Sequence, residues 1–284
     1  RCPDSRPGWY GDHDGVRVGG YPTALMPQPF WEVHAGEGPF LLLVHGFLSS
    51  RSQWLSNLKA LQQHCQPVVM ELYGHGRSPS PNEPASYHSA AYVEAMDAIR
   101  STLGTKQWYV CGYSLGAALT IRYALTFPER VVGHIFTNSA SAFATPETIK
   151  SWAENGATSA NNLRHGGAKA IERIPVHPRH ARRLPSRIYN ALVADSKLLD
   201  VEGIANTLEH TMPGLSVRRE LHLNSRPALL VCGRFETGFQ PHREFAEEKM
   251  PHLTVRETDT GHAVNMQGAD IFNAAIETFV QSTS

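Results

Sequence analysis

Apolar residues in this 284-residue chain fall into short continuous runs, separated by stretches where they recur every three or four positions. Phe40-Leu41-Leu42-Leu43-Val44 is apolar at both odd and even positions. That predicts a strand covered on both faces, as in the middle of a parallel sheet. Residues 67–72, 108–111, 131–136 and 228–232 read the same way, and 253–256 adds a further strand. Two short strands, 16–21 and 30–34, come earlier, joined by a link rich in proline at Pro22, Pro27 and Pro29. Between the runs the period is helical. Trp54, Leu58 and Leu61 share a face, as do Tyr92, Met96 and Ile99 with Leu103, and later Phe272, Ile276 and Phe279. Helices are also expected at 115–127 and near 242–250. Strand and helix alternating at short intervals predict an α/β fold, with a mostly parallel central sheet flanked by helices.

The alternation stops after Asn138. Residues 141–220 have helical periodicity or none, and Leu198, Val201, Ile204 and Leu208 outline one amphipathic helix. This segment is expected to be an inserted helical subdomain (141–220), with 1–140 and 221–284 forming the core. Within it Arg173, Arg179, Arg182, Arg183 and Arg187 crowd together with His177 and His180. Such a cluster reads as a solvated helix face, with recognition of a carboxylate or phosphate as the alternative. Residues 1–15 are polar and expected to trail over the surface.

Composition narrows the field. Lys plus Arg equals Asp plus Glu at 26 each, so no basic field favours nucleic acid or an anionic membrane. No apolar run approaches the ~18 residues of a membrane span. Residues 1–20 have no hydrophobic signal-peptide core, and the four cysteines (Cys2, Cys65, Cys111, Cys232) read as unpaired thiols. Cys111 and Cys232 in particular fall in buried runs. A cytoplasmic location is the expectation.

The chemistry is concentrated in Gly112-Tyr113-Ser114-Leu115-Gly116, a G-x-S-x-G pattern between a strand and a helix. A serine on such a sharp turn exposes its hydroxyl, and glycines on either side let neighbouring backbone approach. Serine needs a base, and a histidine base needs a carboxylate to fix its tautomer. In a parallel sheet these partners come from the C-terminal ends of other strands. Glu236 and His262 stand after such ends, in the order Ser, acid, His. Ser114 is therefore the candidate nucleophile, His262 the general base and Glu236 the orienting acid. Asp259 is the alternative acid, and Asn138 fills the place after 131–136 where another acid might be sought. The N–H of Leu115 and that of Phe47, just past His45-Gly46, are the candidate oxyanion donors. His45 and His75 read as structural. No metal is expected: there is no H-E-x-x-H, and proline interrupts His177-Pro-Arg-His180.

Taken jointly, His45-Gly46-Phe47, Gly74-His75-Gly76-Arg77-Ser78, the serine pentapeptide, Phe127-Pro128-Glu129-Arg130, Gly233 with Glu236, and Gly261-His262 resemble the α/β-hydrolase fold superfamily, in its cap-bearing, carboxylesterase/lactonase-like form. The resemblance runs from about residue 30 to the C-terminus. It implies a cofactor-free serine hydrolase of a small or medium ester or lactone, acting through an acyl-enzyme under a cap at 141–220 that sets the substrate. A C–C bond or thioester hydrolase with the same triad, or a ligand-sensing protein with little turnover, are the alternatives, and a homodimer is left open. Most relatives have Asp where this chain has Glu236. Serine at the elbow sets the chain apart from the dehalogenase and epoxide hydrolase branches, which have Asp there.

Overall fold

The computed structural model describes residues 10–11, 16–19 and 27–283. The last two residues of the first expected strand (16–21), most of the expected N-terminal tail, and Cys2 lie outside the described residues. The strands are β1 Tyr10–Gly11, β2 Val16–Gly19, β3 Trp31–His34, β4 Phe40–Val44, β5 Gln66–Met70, β6 Trp108–Gly112, β7 Val131–Phe136, β8 Ala228–Gly233 and β9 Leu253–Thr258. They form one sheet in the order β1-β2-β3-β5-β4-β6-β7-β8-β9. The pairings from β5 to β9 are parallel, and those of β1, β2 and β3 are antiparallel. The α-helices are α1 Leu58–Leu61, α2 Ser89–Thr102, α3 Leu115–Thr126, α4 Pro146–Glu172, α5 Ser186–Asp195, α6 Val201–Asn206, α7 Gln240–Lys249, α8 Val264–Gln267 and α9 Ala269–Thr283. Among the described residues no helix is long and apolar enough to cross a membrane.

Strand alternation divides the core. Leu42 and Val44 of β4 join a cluster with Met96 and Ile99 of α2 and Leu119 of α3. Leu41 and Leu43 point the other way, among Leu61 of α1 and Phe272, Ile276 and Phe279 of α9. The central strands are therefore apolar throughout because both of their faces are covered. Cys65, Cys111 and Cys232 are buried and free.

Two expected helices are changed by polar anchors. The Trp54–Leu58–Leu61 face is split between a 3₁₀ turn, Arg51–Trp54, and the single-turn α1. Ser50 caps the first piece, and Asn57 between them is bound to the Asn265 carbonyl (3.0 Å) and Asn273 Oδ1 (2.9 Å). Leu198 is exposed and precedes α6, because Asp200 caps that helix by accepting from the Gly203 N–H at 2.8 Å. The chain then continues as a π turn over Thr207–Thr211.

The segment between β7 and β8 adds no strand to the sheet. Its helices have their own cluster of Ala160, Leu163, Ile171, Ile204 and Ala205, which also takes in Leu48 from the loop after β4. Its two ends are built into the main core through Ala142, Phe143, Leu215 and Val217. Two further contacts seat it. Backbone meets backbone where α6 crosses the loop after β5: a Cβ on Gly203 would lie 2.4 Å from the Gly74 Cα. At the end of α5, Asp195 accepts from Ser50 Oγ (2.7 Å), Ser52 Oγ (2.6 Å) and Arg77 (2.9 Å). Arg77 also pairs with the fully buried Glu71 at 3.0 Å.

Candidate active site

Ser114 stands between β6 and α3 with φ 53° and ψ −113°, a left-handed conformation unfavourable for a residue with a side chain. Its surroundings hold it there. The Tyr113 N–H donates to the Val44 carbonyl at 3.0 Å, and the Ser114 carbonyl accepts from Ser139 Oγ at 2.7 Å. A Cβ on Gly116 would lie 2.3 Å from the Val44 carbonyl oxygen, so only glycine lets α3 start this close to β4.

Glu236 follows β8 and His262 follows β9. Nδ1 of His262 is 3.0 Å from each Glu236 carboxylate oxygen. A carboxylate on Nδ1 puts the ring proton there and leaves Nε2 as the basic nitrogen. Asn138, after β7, donates from Nδ2 to Glu236 Oε2 and accepts the Gly233 N–H on Oδ1 at 3.1 Å. Burial pushes the Glu236 carboxyl up, but the hydrogen bond and charge of His262, with Asn138, outweigh it and hold the group below the usual carboxylate range. Asp259 turns away: its carboxylate is 2.8 Å from Arg234 and largely exposed. The structure thus brings Glu236, not Asp259, to His262. Tyr113 packs edge-on against the His262 ring, 5.1 Å between centroids.

The loop after β4 is braced by two buried histidines. His75 Nε2 accepts the N–H of Leu48 at 3.1 Å while its Nδ1 donates to the Tyr73 carbonyl at 2.9 Å. His45 Nε2 accepts the Leu72 N–H at 3.0 Å, and its Nδ1 donates to the Gly46 carbonyl at 2.7 Å. Burial, joined for His45 by its neighbour His75, holds them at about 3 (His45) and about 4 (His75), so both stay neutral and keep an acceptor nitrogen. Gln53 Oε1 accepts the Gly46 N–H at 3.3 Å. So held, the loop carries Leu48 at φ 57°. The N–H groups of Phe47 and Leu115 have no hydrogen-bond partner among the described residues.

Phe47, Ser114, Leu115, Glu236 and His262 all line one cavity of about 620 Å³. Trp152, Val176, Leu184 and Leu192, from the segment between β7 and β8, and Met266 of α8 supply apolar wall. Sequence reasoning noted Asn138 only as a missing acid, and did not single out Ser139, Gln53 or Trp152. Asn138 and Ser139 act through partners distant in sequence, so no local spacing signals them. Among the described residues no group of three or more His, Cys, Asp or Glu is placed to hold a metal ion.

A model of the α/β hydrolase fold family matches residues 39–157. A carboxylesterase of Bacillus subtilis is 24% identical over 254 residues, covering 86% of this chain and 81% of the relative. Among solved structures, MenH from S. aureus superposes with a TM-score of 0.78 at 18% identity, over 89% of this chain and 98% of that one. The enol-lactonase of Burkholderia xenovorans LB400 gives 0.71 at 22% identity, over 88% and 97%. At these identities the structural likeness speaks for the fold alone. The sheet order, the strained serine elbow and the family match over residues 39–157 agree, and the chain has the α/β-hydrolase fold.

Proposed function

We propose that this chain is a serine hydrolase that cleaves a small or medium carboxylic ester or lactone through an acyl-enzyme. The observation that carries the reading is the His262–Glu236 pair in the same cavity as the strained Ser114. Ser114 Oγ attacks the carbonyl carbon and its proton passes to His262 Nε2. Glu236, held ionised, balances the imidazolium. Negative charge on the carbonyl oxygen is met by the N–H groups of Phe47 and Leu115, each worth on the order of 3 kcal/mol in such sites. His262 then protonates the departing alcohol. Water, activated by the same imidazole, attacks the acyl-enzyme and releases the acid. Residues 141–220 act as the lid, and the apolar wall they contribute favours an uncharged acyl group. Relatives named carboxylesterase and enol-lactonase support the ester and lactone classes.

Labelling with a fluorophosphonate, with the adduct located by mass spectrometry, tests the proposal. The expected result is one adduct, on Ser114, that is lost in Ser114→Ala and formed far more slowly in His262→Ala. Folded protein that neither labels nor turns over small esters and lactones would leave a binding protein instead.

A further inference from the structure

Beside the serine cavity lies a second concavity of about 920 Å³, walled by residues 180–186, Phe235, residues 259–263 and Gln267. The two share His180, Ala181, Leu184, His262 and Ala263, so they meet at the imidazole. Phe47 and Leu115 line only the first. In the proposed reaction the leaving oxygen must sit beside His262 to receive its proton. The groove therefore lies on the leaving-group side of the scissile bond.

Its charges are one-sided. Of the arginine cluster, Arg179 is paired with Glu172, and Arg173 and Arg187 are exposed outside the groove. Arg182 and Arg183 line it, and neither meets a carboxylate among the described residues. The one acidic residue in its wall, Asp259, is bound to Arg234, whose guanidinium also lies 5.3 Å from the ring centroid of Phe235. Phe235 itself is 61% exposed. An exposed aromatic face next to two unmatched guanidinium groups suits a flat apolar body with an anion at its far end.

We propose that this groove binds the leaving group, and that the preferred substrates are esters whose alcohol or phenol carries an anionic group, carboxylate or phosphate, held by Arg182 and Arg183. The proposal rests on the serine-hydrolase reading and names its substrate class.

The test compares three acetate esters with one acyl group: 4-acetoxybenzoate, 4-acetoxyphenyl phosphate and the neutral 4-acetoxybenzamide. For each anionic ester the readout is its kcat/KM divided by that of the amide, in the native chain and in Arg182→Ala/Arg183→Ala. Dividing the two ratios cancels intrinsic leaving-group reactivity. The expected result is a fall of about fivefold to tenfold for at least one anion, with a further fall in Arg182→Glu/Arg183→Glu and a smaller native preference in high salt. Ratios equal in all three proteins for both anions would overturn the proposal. Fluorophosphonate labelling of Ser114 in each variant confirms a folded, active site, so loss of the ratio is separable from failure of the hydrolase reading. Calorimetry with the released phenols, 4-hydroxybenzoate and 4-hydroxyphenyl phosphate, reads the groove without turnover. Binding of either that is abolished in the glutamate variant supports the proposal, and no binding of either to the native chain overturns it.

Discussion

At the residue scale, the proposed reaction needs the Ser114 hydroxyl to become a nucleophile at neutral pH. That depends on Glu236 staying ionised while partly buried. Its carboxyl lies below the usual range, so as pH falls it keeps its charge after an ordinary glutamate would have lost it. Protonation of Glu236 should therefore not set the acid limb of kcat/KM. Glu236→Gln removes the anion and offers the imidazole the wrong hydrogen-bond pattern. It should lower kcat by about 10³–10⁴-fold, read in steady-state kinetics on one ester. Asn138→Leu frees one carboxylate oxygen and the Gly233 N–H. It should reduce kcat more modestly, by about tenfold, as loss of one orienting hydrogen bond predicts. Asp259→Asn, by contrast, breaks only the exposed Arg234 ion pair and should leave kcat on a neutral ester within twofold. That contrast was open in the sequence, where both acids precede His262 at plausible spacings. The end of β8 decides it by delivering Glu236 to the imidazole.

At the element scale, the helices between β7 and β8 and the loop after β4, the proposed source of one oxyanion donor, are joined through Asp195. Asp195, the last residue of α5, holds Ser50 and Ser52 on the chain that leaves the loop, and Arg77 on the next loop. Asp195→Ala should cost about 2–3 kcal/mol, the scale of losing hydrogen bonds to a charged group, and should lower kcat with it. Urea unfolding and kinetics on one ester measure the two effects. At the other contact, Gly203→Ala would drive a methyl into the Gly74 backbone. A destabilisation of about 1–3 kcal/mol is expected, seen as a lower Tm, with a raised KM as α6 lifts from the core. The sequence marks the segment between β7 and β8 as a break in strand–helix alternation. It does not show the long α4, whose buried face of Gly156, Ala160, Leu163 and Ile171 is half made of small residues, nor its irregularity at Gly167 (φ 58°).

At the scale of the whole molecule, buried neutral histidines tie stability to pH. Burial first, together with His75's neighbouring ring in the case of His45, brings His45 from 6.5 to about 3, and His75 and His134 to about 4. Unfolding returns each ring to water, where it binds a proton below about 6.5. Their contribution to stability is thus complete above pH 6.5 and is lost as pH falls from there toward 4. Near pH 5 each should add a slope of about 1.4 kcal/mol per pH unit to the unfolding free energy. Urea titrations between pH 7 and 5 check this. His134→Gln, far from the cavity and able to keep a bond to Asn224, should flatten the slope by about one proton's worth.

The chain by itself determined the layers and pointed to the candidate reacting groups. Short apolar runs such as residues 40–44, bounded by turn signals, read as strands covered on both faces, and G-x-S-x-G between strand and helix marks Ser114 as the candidate nucleophile. These are local properties, written in periodicity and in adjacent residues. What the tertiary structure alone decided is which distant groups meet: Glu236 rather than Asp259 at His262, Asn138 behind Glu236, His75 under the loop after β4, and the division of the arginine cluster between a paired, a solvated and a groove-lining set. Those contacts depend on strand order and on the seating of α5 and α6. Both result from packing summed over the whole core, which no short window of sequence contains.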